Sequence, residues 1–279
     1  MPLFMFVAGY VLTREDGIIR NVCHKMRRLL IPFCAWGAIV CFAMQRSPVD
    51  LILYPTNGLW FLWTLAFDIG VVALLVRNSR ESVGYALLKI LIAGLMVLAM
   101  IKQVKLFSIH QISYYLWFVL GGYACRLKGR DWLARTWLVS FVLWIILALF
   151  WVKKGAVELL CGIQLKGFWA DGFRFVTAWV GVGGLFGAFQ KFGNLRMLST
   201  TPVVMLGQMT LGIYAVHEMI HIYFSSFKKC DPLLLFFALM VISIASVLIM
   251  KRVKVLSLLF LGENVDGRAT MKEARCQKG

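Results

Sequence analysis

Charge is scarce in this chain. Only 15% of its 279 residues are charged, and acidic residues number 13. A soluble domain carries about 25% charged and about 45–50% apolar residues. Here 61% are hydrophobic and the mean hydropathy is +0.79. That excludes a soluble globular protein, a disordered chain and a disulfide scaffold, and leaves a polytopic membrane protein. A Cys-x-x-Cys pair is also lacking. Cys23, Cys125 and Cys276 fall in polar connections, Cys34 and Cys41 in an apolar run, and Cys161 and Cys230 in two further loops. Scattered thiols of this kind form neither a metal site nor a redox dithiol. No internal repeat and no low-complexity linker breaks the chain. No Lys or Arg precedes the first apolar run and no small-x-small cleavage site follows it, so the run does not read as a signal peptide.

The charge that is present is one-sided: 30 Lys and Arg against 13 acids, a net +17. In a soluble protein this would point to nucleic acid. In a membrane protein it is a question of sidedness, and no nucleic-acid partner is expected.

A spanning helix needs about 20 apolar residues, each rising about 1.5 Å. The runs Leu29–Met44, Asn57–Val76, Val83–Ile101, His110–Cys125, Thr136–Val152, Gly167–Gln190, Val203–Phe224 and Leu233–Met250 meet or approach that length. They are too long and too uniformly apolar for β-barrel strands. The predicted fold is all-α, a polytopic helical membrane domain over residues 1–260 with a polar cytoplasmic tail over 261–279. The opening run Met1–Leu12 reaches about 18 Å against a hydrocarbon core of about 30 Å. It reads as the second part of a span that begins upstream, so that Met1 is expected to be an internal methionine of a longer protein, or the chain a shortened copy.

Counting that run gives about nine spans. Of the 30 Lys and Arg, 20 then fall on one set of alternate connections and 8 on the other, with Lys89 and Arg174 inside spans. The richer set is cytoplasmic by the positive-inside rule, which places the C-terminus inside and Met1 outside, in a cell membrane.

The densest basic cluster is Lys25, Arg27 and Arg28, just before Pro32. Proline is accepted in the first turn of a helix, so a helix is expected to start here. Cations beside the free amides of a helix start make a site for a phosphorylated donor; the same residues also serve as cytoplasmic anchors. In "LGQMTLGIYAVHEMIH", Tyr214, His217, Glu218 and His221 lie at i+3 and i+4 steps in the outer half of a span. His217 has the chemistry of a general base, and an interfacial anchor is the plain alternative. "HEMIH" also matches His-Glu-x-x-His, the two-histidine zinc motif of metalloproteases. A third ligand is required; His110 and Asp171 are near the same level, neither in a recognisable ligand motif. No metal is expected.

Trp60, in "GLWFLW", opens a span at the outer face, as a belt residue or a platform for a sugar ring. Asp68 lies mid-span and is expected to face the interior and to find a partner. Lys89 is near enough to a span end to snorkel. Asp171 and Arg174 are expected to pair at i,i+3. Cys161 and Cys230 both map to outer loops, where a disulfide is chemically allowed.

Five segments, in order, carry a resemblance. They are "MPLFMFVAGYVL", "KMRRLLIPF", "GLWFLW", "ISYYLWFVLGGYACR" and "LGQMTLGIYAVH". They resemble the successive motifs of the acyltransferase family three membrane proteins, with a pattern similar to the fucose 4-O-acetylase-like branch. The resemblance implies a ten-helix enzyme with both termini inside. Such an enzyme takes an acyl group, usually acetyl, from acetyl-CoA or another acyl-CoA. It passes the group to a hydroxyl of a carbohydrate or lipid-linked glycan, with acyl-CoA as co-substrate and no bound cofactor. Lys25 and Arg28 match the family's basic pair, Arg27 lies between them, and together they imply the acyl-donor site. Trp60, Tyr214 and His217 match motif positions on the acceptor side.

The family's first helix, with its catalytic histidine, lies upstream of Met1 and is absent from this sequence, which leaves His217 as the candidate imidazole. Ala8 and Thr210 stand where serine is usual. Beside the acyltransferase reading stand a non-catalytic membrane homologue or carrier and, remotely, an intramembrane zinc protease.

Overall fold

A computed structural model describes residues 1–12, 18–45, 47–55, 60–76, 91–98, 104, 106–128, 131–150, 157–158, 164–165, 168–192, 201–223 and 232–262. The described chain is all-α apart from one two-residue antiparallel ladder, Val157–Glu158 with Gln164–Leu165. Its helices are α1 (Pro2–Tyr10), α2 (Ile18–Met44), α3 (Pro48–Leu53), α4 (Trp60–Val76), α5 (91–98), α6 (Ile109–Lys128), α7 (Asp131–Ala148), α8 (Phe168–Phe192), α9 (Thr201–Tyr223), α10 (Pro232–Arg252) and the short α11 (Lys254–Leu256). A 3₁₀ turn, Leu106–Ser108, precedes α6, and a π turn, Ser257–Leu261, follows α11.

The apolar runs fall on helices over most of their described residues; Val11, Leu12, Leu149 and Phe150 lie just beyond the ends of α1 and α7. Two of these helices are long and apolar enough to cross a membrane unaided, Trp169–Phe192 and Leu235–Arg252; Trp60–Leu75 and Leu133–Ala148 are apolar but shorter. One boundary differs from expectation. Helix α2 starts at Ile18, well before Leu29, and Pro32 lies inside it. Residues 25–30 ahead of Pro32 are Lys, Met, Arg and Leu, all strong helix formers. The proline removes the amide that the Arg28 carbonyl would otherwise accept from, and its ring crowds that carbonyl.

The chain divides into two compact units. The first comprises Met1–Ile18, Val71–Val104 and Ile109–Thr200. In it α1 lies directly on α6. A Cβ at Gly9 would strike the Val119 carbonyl, and one at Gly122 would strike that of Phe6. Small residues that let backbones meet are the usual device where water supplies no drive for helices to associate. Around this contact an aromatic core assembles. Phe118 stacks on Trp179 at 4.9 Å, and Phe6 meets Trp179 and Phe186 edge-on at 6.1 and 5.0 Å. Arg126 of α6 donates to the Tyr10 carbonyl at 3.2 Å, a cation at the negative end of α1. Helix α8 meets α7 through Gly184, facing the Phe141 backbone, and Gly187, facing the Leu133 carbonyl. The outer face of α7 shows Leu138, Val139, Val142 and Ile146 bare, an apolar stripe at helical spacing.

The second unit comprises Ile19–Gly70, Lys105–Ser108 and Thr201–Gly279. Helices α2 and α4 run antiparallel in it: Phe33 packs on Trp63 at 5.2 Å, and Met26 lies against Gly70 seven residues away along each helix. Trp63 Nε1 donates at 3.1 Å to the carbonyl of Phe107, in a turn where Phe107 and Ser108 both have positive φ. Helix α3 starts by the capping rule: the Ser47 hydroxyl accepts from the Val49 amide at 3.3 Å, Pro48 opens the helix and Asp50 sits in its first turn. Gly212 of α9 receives Val247 of α10 and Leu261 of the π turn.

Candidate functional site

The basic cluster occupies the interior of α2. Lys25 is half-buried, and Arg27 and Arg28 are exposed. The expected helix start at this point is therefore corrected. Amides of residues 25–31 lie within a continuous helix that begins at Ile18, so they are spent on the helix ladder and any anion must be held by side chains.

The chain organises Arg28 in particular. Its Nε donates to the Gly262 carbonyl at 2.8 Å. Trp36, two turns along α2, donates through Nε1 to the Phe260 carbonyl at 3.1 Å and packs its ring on Phe260 at 4.8 Å. Gly262 has φ +65°, and a Cβ there would fall on the Arg28 carbonyl, the group that Pro32 leaves without a helical donor. Neither Gly262 nor Trp36 stands out in the sequence. A left-handed glycine beyond the last apolar run is a signal for a helix end, with no pointer to its partner.

On the acceptor side Trp60 is the first residue of α4 and is half-buried. The next residue, Phe61, is buried and meets Tyr214 of α9 edge-on at 5.5 Å. Edge-to-face pairs of this kind add about 0.5–1.5 kcal/mol beyond the area they bury. The Leu-Trp-Phe and Ile-Tyr-x-x-His segments are thus brought together through Phe61 and Tyr214, 153 positions apart. His217 and Glu218, one turn beyond Tyr214 on α9, are both half-buried. His221 is also in α9, with its side chain outside the described residues. Among the described residues no three His, Cys, Asp or Glu side chains gather as a metal site would require.

Asp68 and Thr64 share the face of α4 that carries Phe61, at i+7 and i+3. Both are fully buried, as expected of Asp68. The expected partner is not there: the two Asp68 oxygens and the Thr64 hydroxyl find no hydrogen bond among the described residues. Asp171 and Arg174 do pair, at 3.1 Å. In the first unit a cavity of about 460 Å³ lies between Pro2, Trp144, Thr177 and Gly181, with Met1, Pro2 and Leu3 of the first motif segment in its lining. Lys89, Cys161, Cys230 and the tail beyond Gly262 lie outside the described residues.

Comparison with known proteins gives one positive result. The acyltransferase family 3 model, described as an acyltransferase domain, matches residues 1–252. No curated protein and no solved structure matches. The matched stretch contains the basic cluster on α2, the start of α4 and the Tyr214–His217 segment of α9, and it covers most of the sequence. This chain belongs to acyltransferase family three and is an acyltransferase of membrane type.

Proposed function

We propose that the protein moves an acyl group, acetyl foremost, from acyl-CoA to a hydroxyl of a carbohydrate or lipid-linked glycan. It does so within a bundle of about nine spans whose C-terminus is cytoplasmic. The observation that carries this reading is the Phe61–Tyr214 contact, which unites two separated motif segments in the unit that also holds Lys25, Arg27 and Arg28.

The chemistry assigns the parts. A base takes the hydroxyl proton as the oxygen attacks the thioester carbonyl; the carbon–sulfur bond breaks, and the proton ends on the coenzyme A thiol. His217 is the motif imidazole, one turn from Tyr214. Lys25, Arg27 and Arg28 bind the phosphates of the donor, with arginine giving the planar, multi-donor contact that phosphate favours. Trp60 and Tyr214 offer ring faces to a sugar.

The test is transfer of label from radiolabelled acetyl-CoA to glycan in membranes that contain the protein. Transfer is expected, and the Lys25→Ala/Arg28→Ala pair is expected to abolish it. Transfer that survives the double substitution overturns the donor assignment. Absence of transfer by the wild-type chain supports a homologue or carrier without catalysis. His217→Ala is expected to lower turnover by about 10²-fold, the usual contribution of a positioned general base.

A further inference from the structure

We propose that Gly262, which lies beyond the family match, is a positioning residue for the donor site. It holds the Arg28 side chain so that its terminal amino groups face an incoming phosphate. This rests on the reading of Arg28 as a donor-binding residue.

The geometry is specific. The family match ends at residue 252, and the chain continues through α11 and the π turn to Gly262. There the Gly262 carbonyl takes the one Nε–H of Arg28 at 2.8 Å. Arginine carries five N–H donors in a fixed plane. Spending Nε on a backbone oxygen fixes that plane and leaves the four terminal N–H groups, which have no partner among the described residues, on an exposed side chain. A phosphate is bound bidentately by just such a guanidinium edge.

Three features hold the carbonyl in place. Gly262 takes a left-handed φ of +65°, which a larger residue adopts only with strain. Its missing Cβ lets it sit on the Arg28 carbonyl, which Pro32 has released from the helix ladder. Trp36 pins Phe260 two residues upstream by a hydrogen bond and a ring contact. The Arg-Leu-x-x-Pro spacing thus acquires a physical role: proline four residues after the arginine opens the groove into which the carboxy-terminal turn docks.

The experiment uses the purified full chain in lipid nanodiscs, with coenzyme A as the binding probe. It also follows phenylglyoxal modification of Arg28 by mass spectrometry, with exposed Arg27 as the internal reference. The variants are Gly262→Ala and Trp36→Phe, the latter keeping the ring against Phe260 while removing its N–H. Loss of a charged hydrogen bond corresponds to about tenfold in affinity.

Gly262→Ala is expected to weaken coenzyme A by that factor and to speed Arg28 modification while Arg27 is unchanged. Trp36→Phe moves both readouts the same way by about threefold, as for a neutral hydrogen bond. In the transfer assay the donor KM rises while the acceptor KM stays, a split that general loosening of the fold does not give.

Unchanged Arg28 modification in both variants shows that the clamp is not there, and overturns the proposal. Faster modification with unchanged coenzyme A affinity shows a clamp of no consequence for the donor, and overturns it too. No saturable binding of coenzyme A by the wild-type chain overturns the donor reading itself and this proposal with it, a failure recognised because it appears before any substitution.

Discussion

Asp68 and Thr64 pose the sharpest question at the scale of single residues. A buried polar atom without a partner forfeits about 1–3 kcal/mol, and a charged one more. Replacing each by an apolar residue of similar shape should therefore stabilise the protein. Thr64→Val and Asp68→Leu are expected to raise the midpoint of thermal unfolding in detergent, each by the equivalent of about 1 kcal/mol or more. A fall in either midpoint would reveal a partner for that side chain. The Asp171–Arg174 pair was legible in the sequence because three residues along one helix fix the distance. Arg28 and Gly262 were not, since their contact joins positions 234 apart and its acceptor is a backbone carbonyl that no side-chain pattern announces. Phe61 was missed for another reason: one phenylalanine in an apolar helix looks like any other until its neighbour is known.

At the scale of elements, glycines separate into those that permit a contact and those that fill no role in packing. Gly9→Ala and Gly122→Ala drive a methyl group into the backbone of the opposite helix. Overpacking of this kind costs about 1–3 kcal/mol, and more where backbone must move. Gly94 and Gly172, both helical, have open space where a Cβ would go. Alanine there is expected to be neutral or to stabilise by about 0.4–1 kcal/mol, by narrowing the unfolded ensemble. Thermal unfolding of the four variants side by side checks the division; equal effects would show that α1 and α6 do not meet backbone to backbone. Among the described residues the apolar runs located every long helix, because lipid and core select the same residues. They misplaced the start of α2, since the stretch Arg20 to Arg28 is polar and helical at once. Hydropathy marks where a helix is buried, whereas its ends are set by capping and helix propensity.

For the whole molecule, the surplus of 20 over 8 basic residues makes orientation testable. In intact cells a membrane-impermeant maleimide is expected to label Cys161 and Cys230, after impermeant reduction if they are joined. Cys23, exposed on the polar start of α2, should be labelled only after the membrane is opened. The reverse pattern would invert the orientation and remove the donor cluster from the cytoplasm. All-α architecture and family were readable at this scale because they rest on bulk apolarity and on ordered motifs. The division into two units was not, because each is assembled from separated stretches of chain. That arrangement has a consequence for biogenesis. Arg28 is made 234 residues before Gly262, so their contact forms only after the intervening chain has left the ribosome. A polypeptide stalled after α10 contains every residue of the family match and yet lacks the carbonyl that orders its arginine. The proposed clamp on Arg28 forms only after the turn that follows α10 and α11 has been made.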